Sequence, residues 1–192
     1  MARGVVLQVS FINAARAKRK LAHIAGGFNK AMLGAINETA DETKTAMSRG
    51  IRDLINIKKK DLDKRIRVVR ATKKVLAAGI RMSASRKHRI GLGRFGARQT
   101  AKGVTYSIRK GGGRTLIPGA FGPDIPRLGH HVFVRAGKSR LPIIGPLKGP
   151  SPWQVFVDAG LPATTRAEAQ AALHKNLDQK VKFLLLKADG KV

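Results

Sequence analysis

The chain has 192 residues, of which 43% are hydrophobic, and its 39 Lys and Arg against 11 Asp and Glu give a formal net charge of +28. This length indicates one domain, and the hydrophobic content is high enough for a packed core, which excludes global disorder. The absence of cysteine excludes disulfide scaffolds, thiolate metal sites and thiol catalysis. No apolar run approaches the roughly 20 residues of a spanning helix, so we expect no membrane partner.

The N-terminal part, residues 1–56, is predicted to be helical after a first strand. Apolar and other residues alternate over 5–11, which is typical of a strand, and the Ala- and Lys-rich residues 13–24 indicate a helix. A long amphipathic helix is predicted over 28–54, and we expect its apolar stripe to pack against the sheet that follows. The stripe consists of Phe28, Met32, Ile36, Ala40, Met47, Ile51 and Leu54.

Residues 57–77 form a basic connector, with a short helix predicted over 58–65. Residues 78–152 are predicted to form a sheet and a Pro/Gly-rich loop. Short, partly alternating runs separated by glycine-rich breaks predict that the sheet is central and antiparallel. A hairpin turn is expected at 111–113, where three glycines follow one another. The runs lie at 78–83, 88–92, 104–109, 115–117 and 131–135.

Residues 136–152 contain four prolines and three glycines, which predicts irregular structure. This segment is nevertheless too apolar to be exposed to solvent over its whole length, so we predict that it contacts another subunit or a neighbouring protein. The predicted contact residues are Leu141, Pro142, Ile143, Ile144 and Leu147. A C-terminal helix within 153–192 is expected to begin at Thr165, which has capping-box spacing to Glu168. Helices, then strands, then a helix indicate an α+β fold in a single domain over 1–192.

The positive charge is concentrated between Arg49 and Arg114, where twenty-one Lys and Arg face three acids. Like charges at this density repel one another unless a polyanion or an acidic partner offsets them. We therefore predict a positive surface that faces DNA, without sequence preference, or an acidic partner. Its predicted members are Arg65, Arg67, Arg70, Lys73, Lys74, Arg86, Lys87 and Arg89. A second reading is that these side chains only keep the free subunit soluble.

Sequence motifs do not indicate an enzyme. Residues 91–96 match G-x-G-x-x-G, but no hydrophobic strand precedes them and no acid follows until Asp124, which argues against a dinucleotide site. His130 and His131 are adjacent, so on a strand they point to opposite faces and cannot share a metal ion. We expect no catalytic residues, no metal and no cofactor.

Five segments together carry a family resemblance. They are AINETA at 35–40, IKKKDLDKRIRVVRAT at 57–72, GVTYSIRK at 103–110, IPGAF at 117–121 and VFVRAGKSRLPIIGPLKGPS at 132–151. With these segments the chain resembles the minor tail protein Z family of tailed bacteriophages. The resemblance is weakest after Trp153.

The resemblance implies a non-enzymatic virion protein at the head-proximal end of a long tail. There such proteins complete the tail, and the resemblance implies a role in head–tail joining and DNA passage, in the neck region, after synthesis in the host cytoplasm. It also implies a homo-oligomeric ring, with six copies favoured, next to tail terminator, tail tube or connector proteins. Composition alone leaves an alternative open, a cellular sequence-independent nucleic-acid-binding protein of ribosomal or nucleoid type.

Overall fold

A computed structural model describes residues 14–83, 89–123, 125, 127 and 129–190. Within them the helices are α1 Ala14–Lys20, α2 Gly27–Leu54, α3 Lys59–Asp63, α4 Pro152–Asp158 and α5 Leu161–Ala188. The strands are β1 Ile66–Val69, β2 Gly79–Met82, β3 Arg98–Thr100, β4 Gly103–Tyr106, β5 Thr115–Pro118, β6 Val134–Arg135 and β7 Ile143–Ile144. The α+β prediction is confirmed, with the strands arranged in small sheets of two and three strands. The first strand predicted over 5–11 lies outside the described residues.

The chain packs as two compact units. Of the described residues, those within Gly4–Met47, Ile66–Arg81 and Gly160–Val192 form the helical unit, and those within Ser48–Arg65 and Met82–Ala159 form the sheet unit. The single-domain organisation over 1–192 stays a prediction.

The core of the helical unit joins α1, the N-terminal part of α2 and α5. Its buried apolar side chains are Ala17, Leu21, Ala31, Met32, Ala35, Ile36, Ala71, Leu173, Leu177 and Val181. On α2 and α5 these positions recur at three- and four-residue intervals, so each helix turns one apolar face inward.

The long helix predicted over 28–54 is confirmed as α2, and most of its predicted stripe is buried. Leu54 is an exception, with 40% of its surface exposed. The sheet gives at most part of the expected cover at Met32 and Ile36, because their buried cluster contains residues of α1 and α5 as well as Ala71, with Ala78 packed against it. An apolar helix face requires cover, but its spacing does not say whether a sheet or another helix supplies that cover.

The C-terminal region forms two helices where one was predicted. Helix α4 begins after Ser151, whose hydroxyl accepts a hydrogen bond of 3.1 Å from the backbone N–H of Gln154. Helix α5 begins after Gly160, which has φ of 67°, in the left-handed region that glycine adopts without steric cost. The predicted start at Thr165 is therefore wrong, since Thr165 is buried inside α5.

The sheet unit contains the three-stranded antiparallel sheet β3-β4-β5. The predicted turn at 111–113 is confirmed in position, because β4 and β5 pair with Thr105 opposite Leu116 and the three glycines lie in their connection. Gly103 has φ of 144°, and a Cβ there would lie 2.1 Å from the carbonyl oxygen of Ile117, so this close strand approach requires glycine.

Three further sequence predictions need correction. The run at 88–92 is not a strand in its described part, because Leu92–Arg94 forms a single 3-10 turn. The basic connector 57–77 contains a strand, β1, in which the β-branched Val68 and Val69 favour extended backbone. The proline- and glycine-rich segment is not wholly irregular, since its Ile143–Ile144 forms β7 and pairs with β6.

Candidate interaction surfaces

Residues 66–81 form a basic arm that carries Arg67, Arg70, Lys73, Lys74 and Arg81 and contains no acid. The arm consists of β1, β2 and the loop between them, and β1 and β2 form a two-stranded sheet. Within each strand more buried and more exposed positions alternate, so Ile66 and Ile80 are buried while Arg67 and Arg81 are exposed. The alternation thus places two guanidinium groups on the solvent side.

The loop of the basic arm is closed by a tight turn over 72–75. The backbone N–H of Thr72 donates to the carbonyl of Val75 at 2.9 Å, and the N–H of Val75 donates back at 3.1 Å. Lys73 and Lys74 occupy the two central positions and are exposed. Val75, which is 60% exposed, lies beside them. The turn therefore presents two ammonium groups at one corner of the arm.

Two contacts attach the basic arm to α2. Nη2 of Arg70 lies 3.0 Å from each carboxylate oxygen of Asp41. The side chain of Asn37 accepts a hydrogen bond of 2.9 Å from the backbone N–H of Ala71 and donates one of 3.3 Å to its carbonyl. The charge of Arg70 is thus offset within the subunit, whereas Arg67, Lys73 and Lys74 have no carboxylate partner in the described part of the chain.

The predicted basic residues therefore divide into separate groups. Arg67, Arg70, Lys73 and Lys74 lie together in the basic arm, and the structure adds Arg81, which the prediction missed. The sequence could have indicated that Arg81 is exposed, because it lies between the apolar residues Ile80 and Met82 of a predicted strand. Arg65, which is half-buried, and Arg89, which is exposed, belong to the sheet unit. Arg86 and Lys87 lie outside the described residues.

The predicted assembly segment, residues 141–147, exposes most of its apolar side chains in the subunit. The exposed fractions are 67% for Leu141, 46% for Ile143 and 51% for Ile144, and Pro142 is exposed as well. Leu147 is half-buried, and its backbone bonds both to Val132 and to Leu92, at 2.8 and 3.0 Å. The assembly segment is thus held by backbone hydrogen bonds at Leu147, while its residues 141–144 are exposed to solvent.

Aromatic contacts fix the base from which the assembly segment extends. The rings of Phe121 and Phe133 stack with centroids 6.0 Å apart, and their backbones exchange two hydrogen bonds of 2.9 Å. The guanidinium carbon of Arg135 lies 4.9 Å from the centre of the Phe121 ring, a cation–π distance. Beyond Arg135 the chain turns through the exposed Lys138 and Arg140 before it returns as β7.

Several carboxylates of the described chain are engaged in ion pairs. Asp61, which is buried, pairs with Arg94 at 3.2 Å, and Asp63 pairs with Lys59 at 2.6 Å.

Among the described residues, no three His, Asp or Glu side chains come together in a group that could hold a metal ion. The described helices include none that is long and apolar enough to cross a membrane.

Comparison with known proteins gives one match. The sequence profile of a family described as prophage minor tail protein Z (GPZ) matches residues 13–187. This range contains the whole basic arm and the whole assembly segment. No curated protein and no solved structure matches the chain significantly.

Proposed function

The chain belongs to the prophage minor tail protein Z family, which gives it a structural role in the phage tail, and from this membership we propose that it completes the head-proximal end of a long tail. In this role it is a non-enzymatic protein of the neck region that helps to join the tail to the head and lets DNA pass. The observation that carries the proposal is the family match over residues 13–187.

The basic arm supports the proposed contact with DNA. Arg67, Lys73, Lys74 and Arg81 are exposed, and their charges are not offset by carboxylates of the described chain. Each phosphate that such a cation neutralises releases a condensed counterion, which favours binding to any duplex. Contacts of this kind go to the backbone and carry no sequence information, as passage of a whole genome requires.

The assembly segment supports the proposed ring. Leu141, Ile143 and Ile144 are exposed apolar side chains on an anchored loop, and burial of such side chains against another protein is favourable. We propose that it contacts a second copy in a ring, with six copies favoured, or a terminator, tube or connector protein beside the ring. The six-fold preference comes from the family's tail tubes.

A cellular nucleic-acid-binding protein of ribosomal or nucleoid type is the second candidate. The net charge of +28 and the unpaired cations of the basic arm favour it, since both would suit RNA or chromosomal DNA as well. The exposed assembly segment favours the tail protein, because exposed apolar side chains gain more from a protein surface than from a phosphate backbone.

The decisive experiment deletes the gene from the prophage and supplies it from a plasmid. We expect virions purified from the complemented strain to contain the protein, and the deletion strain to release full heads and unjoined tails, as counted by electron microscopy. Virions that lack the protein, or normal joining without it, would contradict the proposal. Co-purification of the protein with ribosomes or bulk nucleic acid in uninfected cells would favour the second candidate.

A further inference from the structure

A cleft of about 220 Å³ lies between α1 and α5 in the helical unit, and no residue of the basic arm lines it. Its lining residues are Arg16, Ala17, Lys20, Asp178, Val181, Lys182 and Leu185. The family match and the proposed DNA contact assign nothing to this cleft.

The cleft has an apolar floor and a charged rim. Ala17 and Val181 are buried in the core, and Leu185 packs against it, so the floor is continuous with the interior of the unit. Arg16 and Lys20 stand one turn apart on α1, as Asp178 and Lys182 do on α5, because residues four apart share a helix face. All four charged side chains are exposed.

The rim carries an uncompensated positive charge. Arg16, Lys20 and Lys182 face a single carboxylate, Asp178, and none of the four forms an ion pair with the described chain. The apolar surface also continues beyond the cleft, because Leu186, one turn after Lys182, is 44% exposed. An occupant therefore needs both negative charge and apolar side chains.

We propose that this cleft binds an acidic segment of a neighbouring tail protein, with apolar side chains on the floor and carboxylates against the rim. That the partner is a tail protein depends on the function proposed above. A phosphate backbone suits the cleft less well, because it gains nothing from the floor and is repelled by Asp178. Charge complementarity of this kind determines partner choice and orientation more than raw affinity.

A second copy of this chain does not supply such a segment. Its closest acid pairs are already engaged, since Asp41 pairs with Arg70 and Asp61 with Arg94. Their neighbours are engaged too, because Glu42 accepts a hydrogen bond of 3.2 Å from Asn176 and Asp63 pairs with Lys59. Glu38, three residues before Asp41, pairs with Lys180, and the remaining acids are isolated in sequence.

The test compares two charge-reversal pairs in the complemented prophage. Lys20→Glu with Lys182→Glu should reduce the copies of this protein per purified tail at least about tenfold, because two attractive contacts become repulsive. Lys30→Glu with Lys175→Glu, at exposed positions outside the cleft, should leave the number unchanged. Circular dichroism checks that both variants remain folded.

A photoreactive residue at Lys182 then identifies the occupant in assembled tails. We expect mass spectrometry to find a cross-link to an acidic segment of another tail protein, and a charge swap in that segment to rescue the reversed cleft. Three results would overturn the inference about the cleft and leave the proposed function intact. They are a cross-link to DNA or to a second copy, no cross-link, and normal incorporation of the reversed variant. Absence of the wild-type protein from purified tails would instead overturn the proposed function.

Discussion

Arg70 and Asp41 form an ion pair in which one guanidinium nitrogen lies 3.0 Å from both carboxylate oxygens. The next residue, Ala71, is bound through both of its backbone polar groups by Asn37, one turn before Asp41 on α2. These neighbouring contacts hold the basic arm on the long helix. Arg70 therefore pairs with a carboxylate of its own subunit, and its contact with DNA or an acidic partner stays a prediction.

The amide of Asn37 should contribute more to stability than the ion pair does. Its replacement in Asn37→Ala removes two hydrogen bonds and leaves the part-buried backbone of Ala71 unsatisfied, so we expect a loss of about 2 kcal/mol in the free energy of unfolding. Urea denaturation measures it. Asn29→Ala, at an exposed position of α2, is the matched control and should change stability by less than about 0.5 kcal/mol. Equal effects of the two variants would contradict the proposed support.

Replacement of Arg67, Lys73, Lys74 and Arg81 by Ala should weaken binding to any DNA duplex about equally. If each side chain contacts a phosphate, the slope of log K against log salt should flatten by as much as about 3.6. Binding is measured by retention of labelled duplexes over a salt series. The matched control replaces Lys30, Arg166, Lys175 and Lys187, which are exposed elsewhere in the helical unit. Salt-insensitive retention by the native protein would exclude the DNA contact and leave two readings of the arm, contact with an acidic partner or solubility of the free subunit.

Two glycines with positive φ should respond differently to alanine. Gly111 has φ of 72° and open space where a Cβ would lie, so Gly111→Ala should cost only about 1 kcal/mol of backbone strain. In Gly103→Ala the new methyl group would meet the carbonyl oxygen of Ile117 at 2.1 Å, which forces β4 and β5 apart and should cost at least about 2 kcal/mol more. Thermal unfolding of both variants tests this difference. Similar melting temperatures would show that the strands do not approach so closely.

Polar substitution of the assembly segment should reduce oligomerisation without unfolding the subunit. Ile143 and Ile144 are 46% and 51% exposed, so Ile143→Ser with Ile144→Ser removes little of the subunit's own core. We expect native mass spectrometry to show that the proposed oligomer dissociates at least about tenfold more readily, since each lost apolar contact is worth about 1–2 kcal/mol. Val157→Ser, at a 40% exposed position of α4, is the control. An unchanged oligomer would place the contact elsewhere.

Local patterns in the sequence predicted several of the elements correctly. The three- and four-residue spacing from Phe28 to Ile51 predicted α2, and the three glycines at 111–113 predicted the connection between β4 and β5. Ser151 and Gln154 also have capping spacing, so the start of α4 could have been predicted. These features are readable because helix periodicity, turn conformation and capping depend on residues close together in the chain.

Contacts between distant residues decided the rest. The cover of α2 by α5 joins Ile36 to residues near Leu177, and no local pattern specifies such a partner. Arg70 differs from the unpaired cations of the basic arm because it pairs with Asp41, which lies far earlier in the chain. The cleft between α1 and α5 likewise exists only because two helices that are remote in sequence pack together. The sequence by itself determined the net charge and the apolar content of this protein. Only tertiary packing decided which charges are offset and which surfaces stay open, because both depend on long-range pairing.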